Sequence, residues 1–431
     1  MRYRTLPAAH YHNNRRKLAK HLVPGGAVIV QSNDILPTHA DGTLPLYQNA
    51  DLFYLTGIDQ EETILILFPD SYDGKHREIL FVRETNDHIK VWEGYKLTKE
   101  QATERSGIKT VYWTHEFERV WHAVMGEAKA VYLNTNEHTR AVVEVETREM
   151  RFAHLCRTKY PVHTYLRLAP LMHQIRISKD SHEVGAIKQA CDITEAGFRR
   201  LLGFVKPGVM EYEVEAEMLH EYVRRGSRGF AYTPIVASGA NACILHYNDN
   251  YRVCNDGDLL LLDCAAEYGN YYSDLTRCIP VNGKFSIRQR EVYEAVLRVY
   301  KAAAQMLRVG NSLPDYEFVV GKMMEQELVG LGLLIADDLK RQDPAKPLYK
   351  RYFPHGTSHH IGLDVHDVGH RYTTFTPGMV FTVEPGIYIP EEGIGIRIEN
   401  NFVITDGAPI DLMAGIPIEV DEIEALMAQR T

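Results

Sequence analysis

Three apolar runs in the C-terminal half of the chain end in an acidic residue, and a fold that buries those runs must also deal with the charges. Asp263 follows Leu259–Leu262, Glu384 follows Met379–Val383, and Glu399 closes the run Gly393–Ile398. Asp274 and His359 stand in similar apolar or glycine-containing contexts. A carboxylate buried without a partner costs several kcal/mol or takes up a proton. Taken singly, each acid reads as an ordinary surface or salt-bridged residue. Together, on apparent core strands, they point to a shared cation. Four carboxylates balance two divalent ions, and His359 adds a neutral ligand. A bridging hydroxide could then be held near neutral pH, because metal binding lowers the pKa of water. Oxygen-rich ligation with one imidazole favours a hard ion such as Mn²⁺, whereas a structural zinc site draws on thiolates and imidazoles.

At 431 residues the chain is too long for one ordinary core. Two domains are expected, 1–175 and 176–431. A net charge of −9 with 45% hydrophobic residues describes an ordinary soluble protein and argues against a nucleic-acid-binding surface. No apolar stretch is long enough to span a membrane, and Met1–Lys20 is polar and basic without the apolar segment of a secretory signal. The six cysteines, at 156, 191, 243, 254, 264 and 278, form no CxxC pair and are too sparse for a disulfide scaffold. A cytoplasmic location is the expectation. Cys264 directly follows Asp263, so on an extended strand it points to the opposite face and reads as core.

Up to about residue 170, strand-like and helix-like segments alternate. Gly26–Gln31, Glu62–Phe68, Glu78–Val82 and Ala130–Leu133 read as buried strands, and Arg15–Leu22 and Thr114–Met125 have helical spacing. This implies an α/β domain with a mixed or parallel sheet. No glycine-rich phosphate loop follows any strand, which disfavours nucleotide binding. From Ile177 the order changes. Ser178 or Asp180 starts a helix running to about Leu202. Further helices are expected over Glu211–Arg225, Gln289–Leu307 and Leu313–Leu331, with glycine-punctuated strands between and after them. That order predicts an α+β domain with helices outside a curved antiparallel sheet.

Asp263 and Asp274 flank Glu267–Tyr271, which looks like a hairpin turn and would bring both carboxylates to one region of a sheet. His355 and His359 are four apart, but Gly356 and Thr357 between them favour an irregular loop over a helix, and there is no H-E-x-x-H. Pro385–Gly386 would end a strand just after Glu384. Glu399 would end the next strand.

In order along the chain come Ile244–Leu245–His246–Tyr247, Asp263 with Asp274–Leu275–Thr276–Arg277, His355–Gly356–Thr357–Ser358–His359, Val365–His366–Asp367, Val383–Glu384–Pro385–Gly386 and Ile396–Arg397–Ile398–Glu399. On these motifs the chain resembles the creatinase/aminopeptidase-P/prolidase group of pita-bread metallopeptidases over essentially its whole length. Tyr47–Gly57 resembles the N-terminal domain of aminopeptidases P, which would serve oligomerisation and the pocket rim. The resemblance implies two divalent metals per subunit, most often manganese, bridged by Asp274 and Glu399. Asp263 would belong to one ion, His359 and Glu384 to the other. A hydroxide bridging the ions would attack the scissile carbonyl. Glu384 would be a pure ligand or would also accept a proton. His246 and His366 fall at substrate-binding and proton-handling positions: the tertiary amide nitrogen of an Xaa-Pro bond must be protonated to leave, and the oxyanion needs a donor. His355 would line a proline pocket, and Arg397 would orient or neutralise the ligands. Tyr232 and Tyr388 match positions near the pocket. Trp92 resembles a tryptophan lent to a neighbouring subunit's substrate pocket, with plain packing as the alternative. His360 and His370 read as solvent-facing.

Two activities share this chemistry. An aminopeptidase P removes the first residue ahead of proline; a prolidase splits Xaa-Pro dipeptides and needs a cation for the product carboxylate. Only Arg371 offers one in the short segment Val368–Thr376, so the dipeptidase reading stands second. Proline-containing peptides are the expected partners, and a homodimer or homotetramer the expected assembly. A non-catalytic binding protein of the same fold would have lost ligands, and here all five are present.

Overall fold

The computed structural model describes residues 2–429. Its contacts divide the chain into Thr5–Arg176 and a second unit from Ile177 onward, which also holds the residues up to Arg4.

The N-terminal unit is built on six strands, β1 (Gly26–Gln31), β2 (Ile64–Leu67), β3 (Glu78–Val82), β4 (Thr110–Trp113), β5 (Ala130–Leu133) and β6 (Thr164–Arg167). They form one mixed sheet in the order β4-β3-β2-β1-β5-β6. β1 runs antiparallel to β2 and parallel to β5. All six residues of β1 are buried, which is why it reads as an uninterrupted apolar run rather than an alternating one. The helices are α1 (Ala8–Ala19), α2 (Ala50–Thr56), α3 (Asp87–Glu93), α4 (Lys99–Ser106), α5 (Phe117–Glu127), α6 (Arg148–Lys159) and α7 (Ala169–Arg176). α2 is capped by the Asn49 side chain and stopped by Gly57 at φ +68°. Phe81, Trp121 and Phe152 pack in the core under the sheet. The helix expected over Arg15–Leu22 is α1, starting seven residues earlier. Its buried side includes His10, Asn14 and Arg15, so hydrophobic periodicity conceals its first turns.

The second unit begins with α8 (Ser181–Phe204) and α9 (Glu211–Arg224). Asp180 provides the cap of α8, in a reciprocal box with Glu183. Then come β7 (Ile235–Ser238), β8 (Leu259–Asp263), the hairpin β9 (Glu267–Tyr268) and β10 (Tyr271–Tyr272), and β11 (Thr276–Pro280). Helices α10 (Ile287–Ala304), α11 (Leu313–Gly330) and the short α12 (Ala336–Leu339) follow. The chain closes with β12 (Val380–Val383), β13 (Gly386–Ile389), β14 (Ile394–Arg397), β15 (Asn400–Val403), β16 (Ile410–Asp411) and α13 (Val420–Ala428). Every strand pairing in this unit is antiparallel, in the orders β11-β8-β7, β12-β15-β16, β13-β14 and β10-β9. Helix α8 packs on the hairpin, α9 on β7 and α10 on β12–β14. The α/β and α+β expectations both hold. Among the described residues, no helix is long and apolar enough to cross a membrane.

Candidate metal centre

Backbone pairing brings the acids together. β8 ends at Asp263, whose partner on β11 is Thr276. The hairpin between them turns on Gly269 and Asn270, both with positive φ (60° and 66°), the conformation of a two-residue type I′ turn. Asp274 lies two residues before Thr276, and Asn401 clamps its backbone, accepting the Asp274 N–H at 3.0 Å and donating to its carbonyl at 2.9 Å. Thr276 also pairs with Glu399, whose N–H reaches the Thr276 carbonyl at 3.1 Å. Glu399 thus stands in the gap between β14 and β15 rather than at the end of a strand. On the other side, residues 357–361 run extended beside β12. The Thr382 N–H bonds the His359 carbonyl at 2.9 Å and the Glu384 N–H bonds the Thr357 carbonyl at 2.8 Å. No helix joins His355 to His359.

Ligand atoms of Asp274, His359 and Glu399 lie within 4.8 Å of one another. His359 Nε2 is 3.4 Å from Asp274 Oδ2 and 3.7 Å from Glu384 Oε1. Asp263 sits beside them, since the Tyr232 hydroxyl lies 2.6 Å from both Asp263 Oδ1 and Asp274 Oδ1. Arg397 donates to Asp263 at 2.6 Å and also bonds Thr276 and Tyr388 at 3.0 and 2.7 Å. Thr276 in turn donates to Glu399 at 2.7 Å.

These residues fit divalent cations. His359 Nδ1 lies 2.9 Å from the His360 carbonyl, so the tautomer that donates there leaves an Nε2 lone pair aimed at carboxylate oxygens. Tyr232 has one hydroxyl proton for two short contacts. At that point acceptors outnumber protons, an imbalance that a cation would correct. Burial raises the pKa of Glu384 to about 7, the His359 charge opposing and the Asp274 charge adding to the shift. Burial and the charges of Asp274, Glu384 and Asp263 push Glu399 well above the carboxylate range. Asp263 is raised by burial against the pull of Arg397. Burial disfavours a charged His359, but the Asp274 contact and the Glu384 charge outweigh it and raise its pKa.

All four shifts act on stability in one direction. A carboxyl with a raised folded-state pKa binds its proton more tightly folded than unfolded, so its destabilising effect is absent below the ordinary value and complete above the raised one. The stabilising effect of a charged His359 is likewise lost as pH rises. For Glu384 the window runs from 4.5 to about 7. In chelator, the melting temperature should therefore fall as pH rises through that window, and added Mn²⁺ should flatten the fall. Chelated protein equally stable at pH 8 and pH 5, read by thermal denaturation, would show that the carboxylates do not crowd.

Around the centre, His366 stands over His359, ring centroids 4.3 Å apart and edge to face. Its neighbour Asp367 is held by a buried ion pair with Lys179 at 2.7 Å. His246 is exposed, yet close enough to add its charge to the forces on His355. His355 lies 2.8 Å from the Tyr388 hydroxyl and 3.6 Å from Glu384, with Phe353 edge-on at 4.8 Å. Tyr232, expected near the substrate, shares its hydroxyl between Asp263 and Asp274. Arg371 is exposed and pairs with Glu317 at 2.7 Å. Trp92 is 77% exposed on α3, which rules out plain packing within its own unit. His360 corrects the solvent-facing expectation: it is only 4% exposed and its ring lies on Phe381 at 4.2 Å. Side chains alternate along the extended segment, so if His359 faces the acids, His360 faces the core. Burial holds its pKa down to about 3. The sequence alone assigns no role to Thr276, Thr382 or Asn401. Asn401 is the second of two adjacent asparagines that open β15.

The sequence model of metallopeptidase family M24 matches residues 185–406. The chain belongs to family M24. A second model, the aminopeptidase P N-terminal domain, matches residues 11–132. The Xaa-Pro aminopeptidase of Escherichia coli is 35% identical over 433 residues, covering 97% of each chain. Proline aminopeptidase P II from Yersinia pestis superposes with a TM-score of 0.88 at 34% identity, covering 98% of this chain and 100% of the other. Zinc-substituted E. coli aminopeptidase P in complex with product gives 0.87 at 33% identity, covering 99% of each. As an M24 metallopeptidase the chain works with divalent metal ions.

Proposed function

We propose that this protein is a metal-dependent Xaa-Pro aminopeptidase, which releases the first residue of peptides carrying proline in second position. The observation that carries the reading is the convergence of Asp274, His359 and Glu399 on one point, with Asp263 and Glu384 beside them. Asp263, Asp274, His359, Glu384 and Glu399 would hold two divalent ions. The oxygen-rich donor set favours Mn²⁺. When bound, the ions supply an activated water near neutral pH and polarise the scissile carbonyl.

The chain's own groups do the rest. Glu384, beside His359 and His355, accepts the proton that the attacking water gives up. His246 and His366 bind the carbonyl side and hand a proton to the departing proline nitrogen. His355, Tyr388 and Phe353 make an aromatic wall suited to a proline ring. Arg397 and Tyr232 hold Asp263 and Asp274 in place. Arg371 is already engaged by Glu317, which supports the aminopeptidase over a dipeptidase that needs a cation for its product carboxylate. Trp92, exposed on α3, would serve a subunit contact in a homodimer or homotetramer. Six free cysteines suit a reducing cytoplasm. The N-terminal domain, 1–175, would build the oligomer and the pocket rim, and 176–431 the catalytic unit.

Purified protein loaded with Mn²⁺ is expected to release the first residue from an Xaa-Pro-Yaa tripeptide. Cleavage confined to Xaa-Pro dipeptides would replace this reading with the dipeptidase one.

A further inference from the structure

The segment between β7 and β8 carries His246 on an exposed stretch, yet both ends of that stretch are tied to one buried carboxylate. Glu211, the first residue of α9, is 0% exposed. Its Oε1 accepts the Ser238 N–H and the Ser238 hydroxyl, each at 2.7 Å, and Asn241 Nδ2 at 3.4 Å. Its Oε2 accepts the Tyr247 hydroxyl at 2.7 Å and the Arg252 N–H at 2.9 Å. One oxygen therefore holds the start of the loop. The other holds its end and the residue next to His246.

A buried carboxylate without a cation needs its lone pairs filled, and here the loop supplies the donors. Arg252 closes the base a second time, donating to the Ser238 carbonyl at 2.6 Å. The turn at Gly239–Cys243 packs so closely on β14 that a Cβ at Gly395 would come within 2.1 Å of the Ala242 carbonyl oxygen. Tyr247 is buried while His246 is exposed, so fixing the tyrosine fixes where the histidine emerges.

We propose that Glu211 is the positioning residue for His246, clamping the loop so that the imidazole is presented to the substrate. The inference rests on the aminopeptidase reading, in which His246 touches the peptide. Glu211→Gln keeps one acceptor oxygen but turns an NH₂ toward a donor, opening one side of the clamp. The expected result is a fall in kcat/KM for the tripeptide of about tenfold or more with full metal content. Backbone amides of residues 244–251 should exchange faster, in metal-free protein as well.

A double-mutant cycle separates positioning from general damage. E211Q/H246A should be no slower than H246A alone, because a misplaced histidine and an absent one are equivalent. Tyr247→Phe opens only the Oε2 side and serves the same cycle if E211Q does not fold. Wild-type kcat/KM in the clamp variants, full activity in H246A, or losses that multiply with those of H246A would each overturn the proposal. A wild-type protein that cuts no Xaa-Pro peptide would instead overturn the aminopeptidase reading itself.

Discussion

Asp274→Asn should leave the protein folded, poor in metal and without measurable turnover. Asp274 is buried, its backbone is clamped by Asn401, and its two oxygens face His359 and Tyr232. The amide is nearly isosteric, so packing survives. It removes one negative charge from the cluster, however, and turns an NH₂ group toward either the tyrosine hydroxyl or the imidazole. Metal chemistry supplies several kcal/mol to a hydrolysis of this kind, so its loss corresponds to at least about a thousandfold in rate. The same change relieves repulsion among the remaining carboxylates, and the metal-free variant should melt no lower than the metal-free wild type. Elemental analysis, tripeptide turnover and thermal melts test the three parts. Wild-type metal content with wild-type turnover would remove Asp274 from the ligand set.

His366→Ala should separate catalysis from metal binding. The His366 ring touches His359 edge to face, on a loop fixed from beneath by the buried Lys179–Asp367 pair and by the Asp367 N–H to the His360 carbonyl at 2.8 Å. A side chain that gives or takes a proton in the transition state contributes about 10²–10⁴ in rate. The variant should therefore lose at least about a hundredfold in kcat while keeping its metal and its melting temperature. Metal loss in step with activity would mean that His366 supports the ligands rather than the reaction.

Much of this arrangement was legible beforehand because it is written in local contrasts. An acid closing an apolar run marks Asp263 and Glu384, and the Gly269–Asn270 pair marks the turn that brings Asp274 back beside β8. Elsewhere local contrast fails. The first turns of α1 bury His10, Asn14 and Arg15, which no hydrophobic count assigns to a core. Strands β4 and β6 lie at the sheet edges and are only partly buried, so they lack the continuous apolar signal of β1. His360 was misplaced because its burial depends on the pairing of residues 357–361 with β12. The roles of Thr276 and Asn401 likewise arise only from register, since each works on a residue more than a hundred positions away. What chemistry the acids share could be inferred from sequence, and so could the part of Arg397 in holding Asp263; the parts of Thr276 and Asn401 could not.

The proposed ligands begin at Asp263 on β8 and end at Glu399, just ahead of β15, so the set is split across synthesis as well as across sheets. A ribosome adding about 5–20 residues per second needs on the order of ten seconds to pass from the first to the last. During that interval the emerging chain offers at most an incomplete set. Metal capture is therefore a late event, belonging to the finished domain, and a chain truncated before Glu399 should emerge unable to retain its ions.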